Sequence, residues 1–489
     1  YSSTNATDTV SVPCKQYYVT LTNHQTWANE PTRPQMIVSG TLHGNERVGP
    51  HASIEFLLFV LEEYAKNTVW IKHLVDTRVV VIVPMTNANG FERNERMELQ
   101  SNGASFDPNR DFPFNQKSSD CMLTVAARTI NELVRSHLFQ VMITFHGGTN
   151  VVGYEWGDFS HCSDSGQCEL APDDAFMAAL ATRIRDYAGS AGQYEDPYVI
   201  GTMGATVYPV NGGMEDWAYG ASWEGAEIQC DPQGSSHLYA KKNTARMPGT
   251  ARCVTYLVEA GALKEPPEES LGTKEDVLNT NGKGNGHIPR NIRLLLAVVD
   301  ALQPYMLPSE SELIKVSDTA AKATIRMSPG GLFKVDSAFM QWSTLKASRV
   351  VQSGATGSQS LSQLEYYPDS LRPSSSFEYK IYFPLPLEEP IFFRGVIHAD
   401  HDLGSDASQS HLVNARRNTS WSYELSKTSK VVGSLDFYSQ TFKISTVSQS
   451  AASQDIFSSR DSVVLDQMMI REDNVTSLLR IEMLPPNSV

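Results

Sequence analysis

The chain has 489 residues, 41% hydrophobic and 19% charged, with 55 acidic against 40 basic side chains and a formal net charge of −15. That length exceeds one ordinary hydrophobic core and predicts two or three domains. The acidic balance excludes a basic nucleic-acid surface, and no apolar run approaches the ~20 residues of a membrane span.

The chain opens at Tyr1 with neither a Met nor an apolar leader, which reads as a processed or trimmed product. Six cysteines and glycosylation sequons at Asn5, Asn418 and Asn474 point to a secreted protein or one in the lumen of the secretory pathway. Cys162 and Cys168 bracket a turn-rich loop that a disulfide would close. Cys253, inside an apolar run, fits a disulfide better than a nucleophile.

In chain order, Gln16–Thr22 and Met36–Leu42 read as strands, and Ile54, Leu57, Leu58 and Leu61 mark a helix over Val48–Lys66. Thr77–Pro84 is apolar on both faces, as a strand covered by helices on each side should be. Cys121–Phe139 and Asp173–Ala188 read as helices, Gln140–Phe145 and Cys253–Val258 as buried strands, and His287–Tyr305 as a last amphipathic helix. The alternation predicts an α/β domain over 1–305, with helices on both sheet faces. In such sheets ligands bind at the carboxyl ends of strands, and His43, His146 and Glu259 each follow an apolar run. Beyond Pro304 short alternating runs take over: Thr324–Met327, Phe333–Trp342, Phe377–Phe383, Ile391–His398, Ser434–Ile444 and Ser477–Met483. They predict an all-β, sandwich-like domain over 306–489.

The chemistry collects at the strand ends. In HGNE, His43 and Glu46 can point an imidazole and a carboxylate at one ion, a pair that suits zinc. His146 completes the two-histidine, one-carboxylate count that leaves a position for water. Glu259 could take that water's proton. Asn109-Arg110 offers a guanidinium fork suited to a carboxylate, and Tyr208 a phenol in a Gly-containing loop. No GxSxG is present. The His398–Asp402 cluster reads as a solvated loop, Gly282–Gly286 as a linker, and Trp217 and Trp223 as packing residues.

HGNE at 43–46, DPNRDFP at 107–113, FHGG at 145–148, YPVNGGMEDW at 208–217 and CVTYLVEAG at 253–261, with KEPPEES following, form an ordered set. In order and near-spacing the chain resembles the zinc metallocarboxypeptidases, most closely the carboxypeptidase E, D, M and N (regulatory) subfamily, over most of residues 17–305. The resemblance implies a mixed, mostly parallel sheet and one Zn2+ per chain held by His43, Glu46 and His146. Glu259 would be general base and acid, Asn109 and Arg110 would grip the terminal carboxylate, and Tyr208 would close over the substrate. Asp107 falls where the family keeps a carboxylate behind the first histidine, fixing its tautomer. The implied reaction is hydrolysis of the C-terminal peptide bond of peptides or proteins by a zinc-activated water.

In the same resemblance Glu215 lies at the base of the pocket for the terminal side chain and implies a preference for Lys or Arg. The Asp that E- and D-type enzymes keep eleven residues after the third ligand is Gly157 here, with Asp158 beside it. Two places depart from the pattern. The arginine that steadies the oxyanion is replaced by Gln100, leaving Gln100 itself, Arg96 or Arg93 as donor. Residues 1–15 are too few for the helix and strand with which the family opens. These departures, and the large β domain, motivate an alternative: a carboxypeptidase-like protein with weak or no catalysis and a structural, adhesive or peptide-binding role.

Overall fold

A computed structural model of the chain describes residues 15–27, 33–100, 102–224, 228–231, 239–244, 253–278, 285–303, 305–330, 337–344, 351–354, 377–387, 391–399, 435–438, 442–444 and 479–483. The sequons at Asn5, Asn418 and Asn474 and the Asp400–Asp402 cluster lie outside them, as does most of the 282–286 linker.

Tyr17–Leu21 (β1), Gln35–Ser39 (β2) and Val79–Val83 (β3) lie side by side, β1 antiparallel and β2 parallel to β3. Every residue of VVVIV in β3 is buried, which only a strand covered on both faces can achieve. Each such side chain contributes about 1.5–3 kcal/mol of burial. The covering elements include the helix Val48–Ala65 (α1), whose inner face is Ala52, Phe56, Phe59 and Val60. Ile54 and Leu58, expected in the buried stripe, are 42% and 41% exposed. Two stripes compete at helical spacing there, and the one with the larger aromatic surface turns inward.

The segment expected as one helix over Cys121–Phe139 divides. Its helix (α2) is Val125–Ser136, because Thr124 caps it, its side chain accepting from Ala127 N at 3.0 Å. Before the cap, Asp111 accepts from Leu123 N, Thr124 N and Thr124 Oγ1, pinning the loop that carries Met122 at φ 57°. Phe139–His146 (β4), Thr149–Tyr154 (β5), Val199–Thr202 (β6) and Val254–Gly261 (β7) complete the central sheet. Its order is β1-β3-β2-β4-β7-β5-β6, with β2, β4 and β7 parallel and β5 antiparallel to β7. The helix Asp174–Ala188 (α3) lies between β5 and β6, Met214–Glu224 (α4) between β6 and β7, and His287–Ala301 (α5) after β7. The result is an α/β fold on a mixed, mostly parallel sheet.

One strand changes sides. Leu479–Met483, expected in the second domain, pairs antiparallel with β1, Tyr17 opposite Met483 through Leu21 opposite Leu479. Alternation in LRIEM announces a half-buried strand but not its partner, and β1 offered an open edge. The first unit therefore runs through the described residues to Leu302 and takes in this last strand, while the second covers those from Gln303 to Ala399 and from Leu435 to Ile444. Every described element of the second unit is a strand, in two antiparallel sheets. One has the order Tyr305–Ser317, Ala320–Gly330, Phe377–Pro384. The other has the order Val351–Gly354, Ser337–Thr344, Ile391–Ala399, Leu435–Tyr438, with Phe442–Ile444 also on Ile391–Ala399.

Candidate metal centre and substrate cleft

The HGNE turn leaves β2 where the sheet ends. Gly44 sits so close to the neighbouring loop that a Cβ would come 2.0 Å from Gly90 C, so any side chain would displace the turn. Thr41 Oγ1 donates to the carbonyls of His43 and Glu46, closing the turn and aiming both side chains inward. His146 ends β4, and register places Glu259 of β7 directly opposite it. Two adjacent parallel strands thus deliver a ligand and a carboxylate to one edge.

His43 Nδ1 lies 3.1 Å from both carboxylate oxygens of Glu46 and 3.0 Å from His146 Nδ1, which is itself 3.1 Å from Glu46 Oε2. All three residues are buried. His43 Nε2 donates to Asp107 Oδ1 at 3.0 Å, which puts its proton on Nε2 and leaves the Nδ1 lone pair inward. His146 Nε2 likewise faces Thr144 Oγ1 at 3.2 Å and Glu215 Oε1 at 3.5 Å. Two imidazole lone pairs and a carboxylate crowded at this distance repel one another unless a cation lies between them. The donor set fits zinc.

Around this centre the cleft is lined by Arg96, Asn109, Arg110, Tyr208, Glu215, Asp216 and Glu259, with Met203, Val207, Val210 and Leu257 as apolar wall. Asn109 and Arg110 stand on a single tight turn, Pro108–Arg110, capped by Asp107 accepting from Asn109 N at 2.9 Å. Arg110 Nη1 donates to Asn109 O, and its guanidinium lies 5.9 Å from the ring of Tyr208, which is 53% exposed at the cleft mouth. Glu259 is buried, and burial raises its pKa against the opposing charge of His146; its Oε2 has no hydrogen-bond partner.

Of the three candidates for the missing arginine, only Arg96 lines the cleft: Nε donates to Asp107 Oδ2 at 2.9 Å and Nη1 lies 3.6 Å from Glu46 Oε1. Gln100 turns toward α2, donating to Glu98 Oε1 and Leu123 O, and Arg93 pairs with Glu95 on the surface. Glu215 is buried on the cleft wall, but its Oε1 also faces Asn109 Nδ2 at 3.4 Å and His146 Nε2, so it braces the metal centre as well. Asp158, offered as a helper in the pocket, is committed elsewhere: Oδ1 accepts from Ser160 N and Asn115 Nδ2, and Oδ2 faces His161 at 2.7 Å. Sequence reasoning passed over Lys264, whose Nζ lies 3.0 Å from Glu46 Oε1.

His161 also faces Glu224 Oε2 at 3.1 Å and stacks on Trp156 with centroids 3.8 Å apart. Burial alone would discharge it, but hydrogen bonds to Asp158 and Glu224 raise its pKa to about 10. A folded pKa above the unfolded value stabilises the fold below about pH 6.5, and that contribution disappears as pH climbs through about 10. Urea unfolding should therefore show wild type losing about 2–4 kcal/mol more than His161→Gln between pH 7 and pH 10. Parallel pH profiles for the two proteins would remove this role from His161.

The zinc carboxypeptidase family profile matches residues 14–242. This span carries a zinc carboxypeptidase domain. Human carboxypeptidase D is 28% identical over 230 residues, covering 43% of this chain and 16% of that protein. Mouse carboxypeptidase M is 25% identical over 198 residues, covering 38% and 44%. The chain thus spans less than half the length of either relative. Among solved structures, bovine thrombin-activatable fibrinolysis inhibitor in complex with tick carboxypeptidase inhibitor matches at 14% identity and TM-score 0.38, covering 58% of this chain and 83% of that one. Zinc is the cofactor of the carboxypeptidase domain, and His43, Glu46 and His146 are the group among the described residues able to hold it.

Proposed function

We propose that the chain is a zinc-dependent exopeptidase that releases Lys or Arg from peptide and protein C-termini. The observation that carries this reading is one cleft holding the metal donors, a buried carboxylate opposite His146, and a carboxylate-gripping pair. His43, Glu46 and His146 would hold the zinc, which would supply Lewis acidity toward the scissile carbonyl and lower the pKa of water. Asn109 and Arg110 take the substrate's terminal carboxylate, and Tyr208 closes over it from the mouth. Glu259 accepts the proton that water loses as its oxygen joins the carbonyl carbon. The same carboxyl then delivers the proton to the departing amine as the C–N bond breaks. Arg96 donates to the oxygen on which negative charge develops. The Arg96 guanidinium in the cleft supports the reading with turnover despite Gln100.

The pocket's acidity supports the basic preference. Glu215 and Asp216 are both buried at the cleft, and burial, then the charge of Asp158, holds the Asp216 pKa well above the usual carboxylate range. A cationic side chain entering between apolar walls relieves that crowding, whereas Leu or Phe leaves it uncompensated. Glu215→Gln keeps an acceptor toward His146, so it should lower kcat/KM for a C-terminal Arg peptide by about 10²-fold while changing a C-terminal Leu peptide little. Equal losses on both peptides would assign Glu215 to the metal centre alone. The disulfides Cys121–Cys230 and Cys162–Cys168 support an oxidising, secretory location. No helix among the described residues is long and apolar enough to cross a membrane.

A further inference from the structure

We propose that Lys264 is a positioning residue that shares the Glu46 carboxylate with the metal and thereby weakens zinc binding. Its Nζ lies 3.0 Å from Glu46 Oε1, while Oε2 of the same carboxylate faces His146 Nδ1. The side chain reaches this buried ligand from solvent, being 38% exposed itself.

The surrounding chain makes room for this contact. Lys264 O accepts from Arg47 N at 2.9 Å, tying the segment after β7 to the HGNE turn. In FHGG, Gly148 has φ 129°, and a Cβ there would come 3.3 Å from Lys264 Cε; a Cβ on Gly147 would come 3.5 Å from Lys264 Cα. The lysine stem therefore runs within van der Waals reach of these two glycines. Arg96 Nη1, 3.6 Å from the same Oε1, adds a second positive charge.

An ammonium has three donors and no acceptor, so it holds Oε1 by drawing on the charge a metal would use. Its own charge also repels a divalent cation beside it, an effect reduced but not abolished by partial exposure. A lysine that only propped up the loop would have the opposite consequence, since its removal would loosen Glu46 and weaken the site.

The inference rests on the zinc centre and not on hydrolysis. The test is competition for zinc between the metal-free full-length protein and a chromogenic chelator. Lys264→Met should bind zinc about tenfold more tightly than wild type, about 1.4 kcal/mol. Lys264→Arg, which keeps the charge, should stay close to wild type. Lys264→Gln provides a second neutral side chain and should move in the same direction as Met. Neutral variants that bind zinc equally or more weakly would overturn the assignment. Because turnover is never measured, this outcome is independent of whether the chain proves to be a peptidase.

Discussion

Glu259→Gln should lower kcat on a peptide ending in Arg by about 10³-fold or more, within the about 10²–10⁴-fold that positioned proton transfer contributes. KM and zinc content should stay near wild type. The substitution preserves shape and removes only the ability to accept a proton. The prediction follows from placement: β4 and β7 run parallel with His146 opposite Glu259, so the carboxylate stands beside the metal ligand. Glu259 is only 9% exposed and its Oε2 meets no donor, which leaves that oxygen for water or substrate. A Gln variant with undiminished kcat would assign the proton to another group.

Arg96→Ala is expected to lower kcat by about 10²–10³-fold, the usual cost of removing one oxyanion donor. Gln100→Ala should leave kcat unchanged, because its amide faces Glu98 and the Leu123 carbonyl, away from the cleft. Arg96 also holds Asp107, which in turn orients His43, so zinc affinity must be measured alongside. A loss of kcat at constant zinc occupancy identifies the oxyanion role; a loss that tracks zinc content identifies only support of His43. If Gln100→Ala is the damaging change, the oxyanion donor has been misassigned.

The sheet and the cluster of His43, Glu46 and His146 were legible for a physical reason. A strand buried on both faces must be written as an unbroken apolar run, and a ligand at its end marks the run's abrupt close, as at His146. The HGNE turn is equally open to reading, since His43 and Glu46 are neighbours in the chain. Contacts made by long side chains across unrelated loops were not legible. Whether Arg93, Arg96 or Gln100 enters the cleft depends on how the loop after Arg93 folds. The αL cap at Asn94 and the Glu98 carboxylate, accepting from Val125 N and Ala126 N, decide that fold. Lys264 lies 218 residues from Glu46, and nothing in its local pattern announces the contact. Strand pairing at the sheet edge was hidden for a related cause: LRIEM alternates correctly for either unit, and only the open edge of β1 chooses.

The proposed activity is zinc-dependent release of a basic C-terminal residue. Zinc-loaded full-length protein is incubated with a peptide ending in Arg and with its C-terminal amide, and free arginine is quantified before and after chelation and zinc restoration. The geometry predicts arginine from the free acid only, because Asn109 and Arg110 need the terminal carboxylate, with release abolished by the chelator and recovered with zinc. Absence of free arginine from zinc-loaded protein, or equal attack on acid and amide, would contradict it.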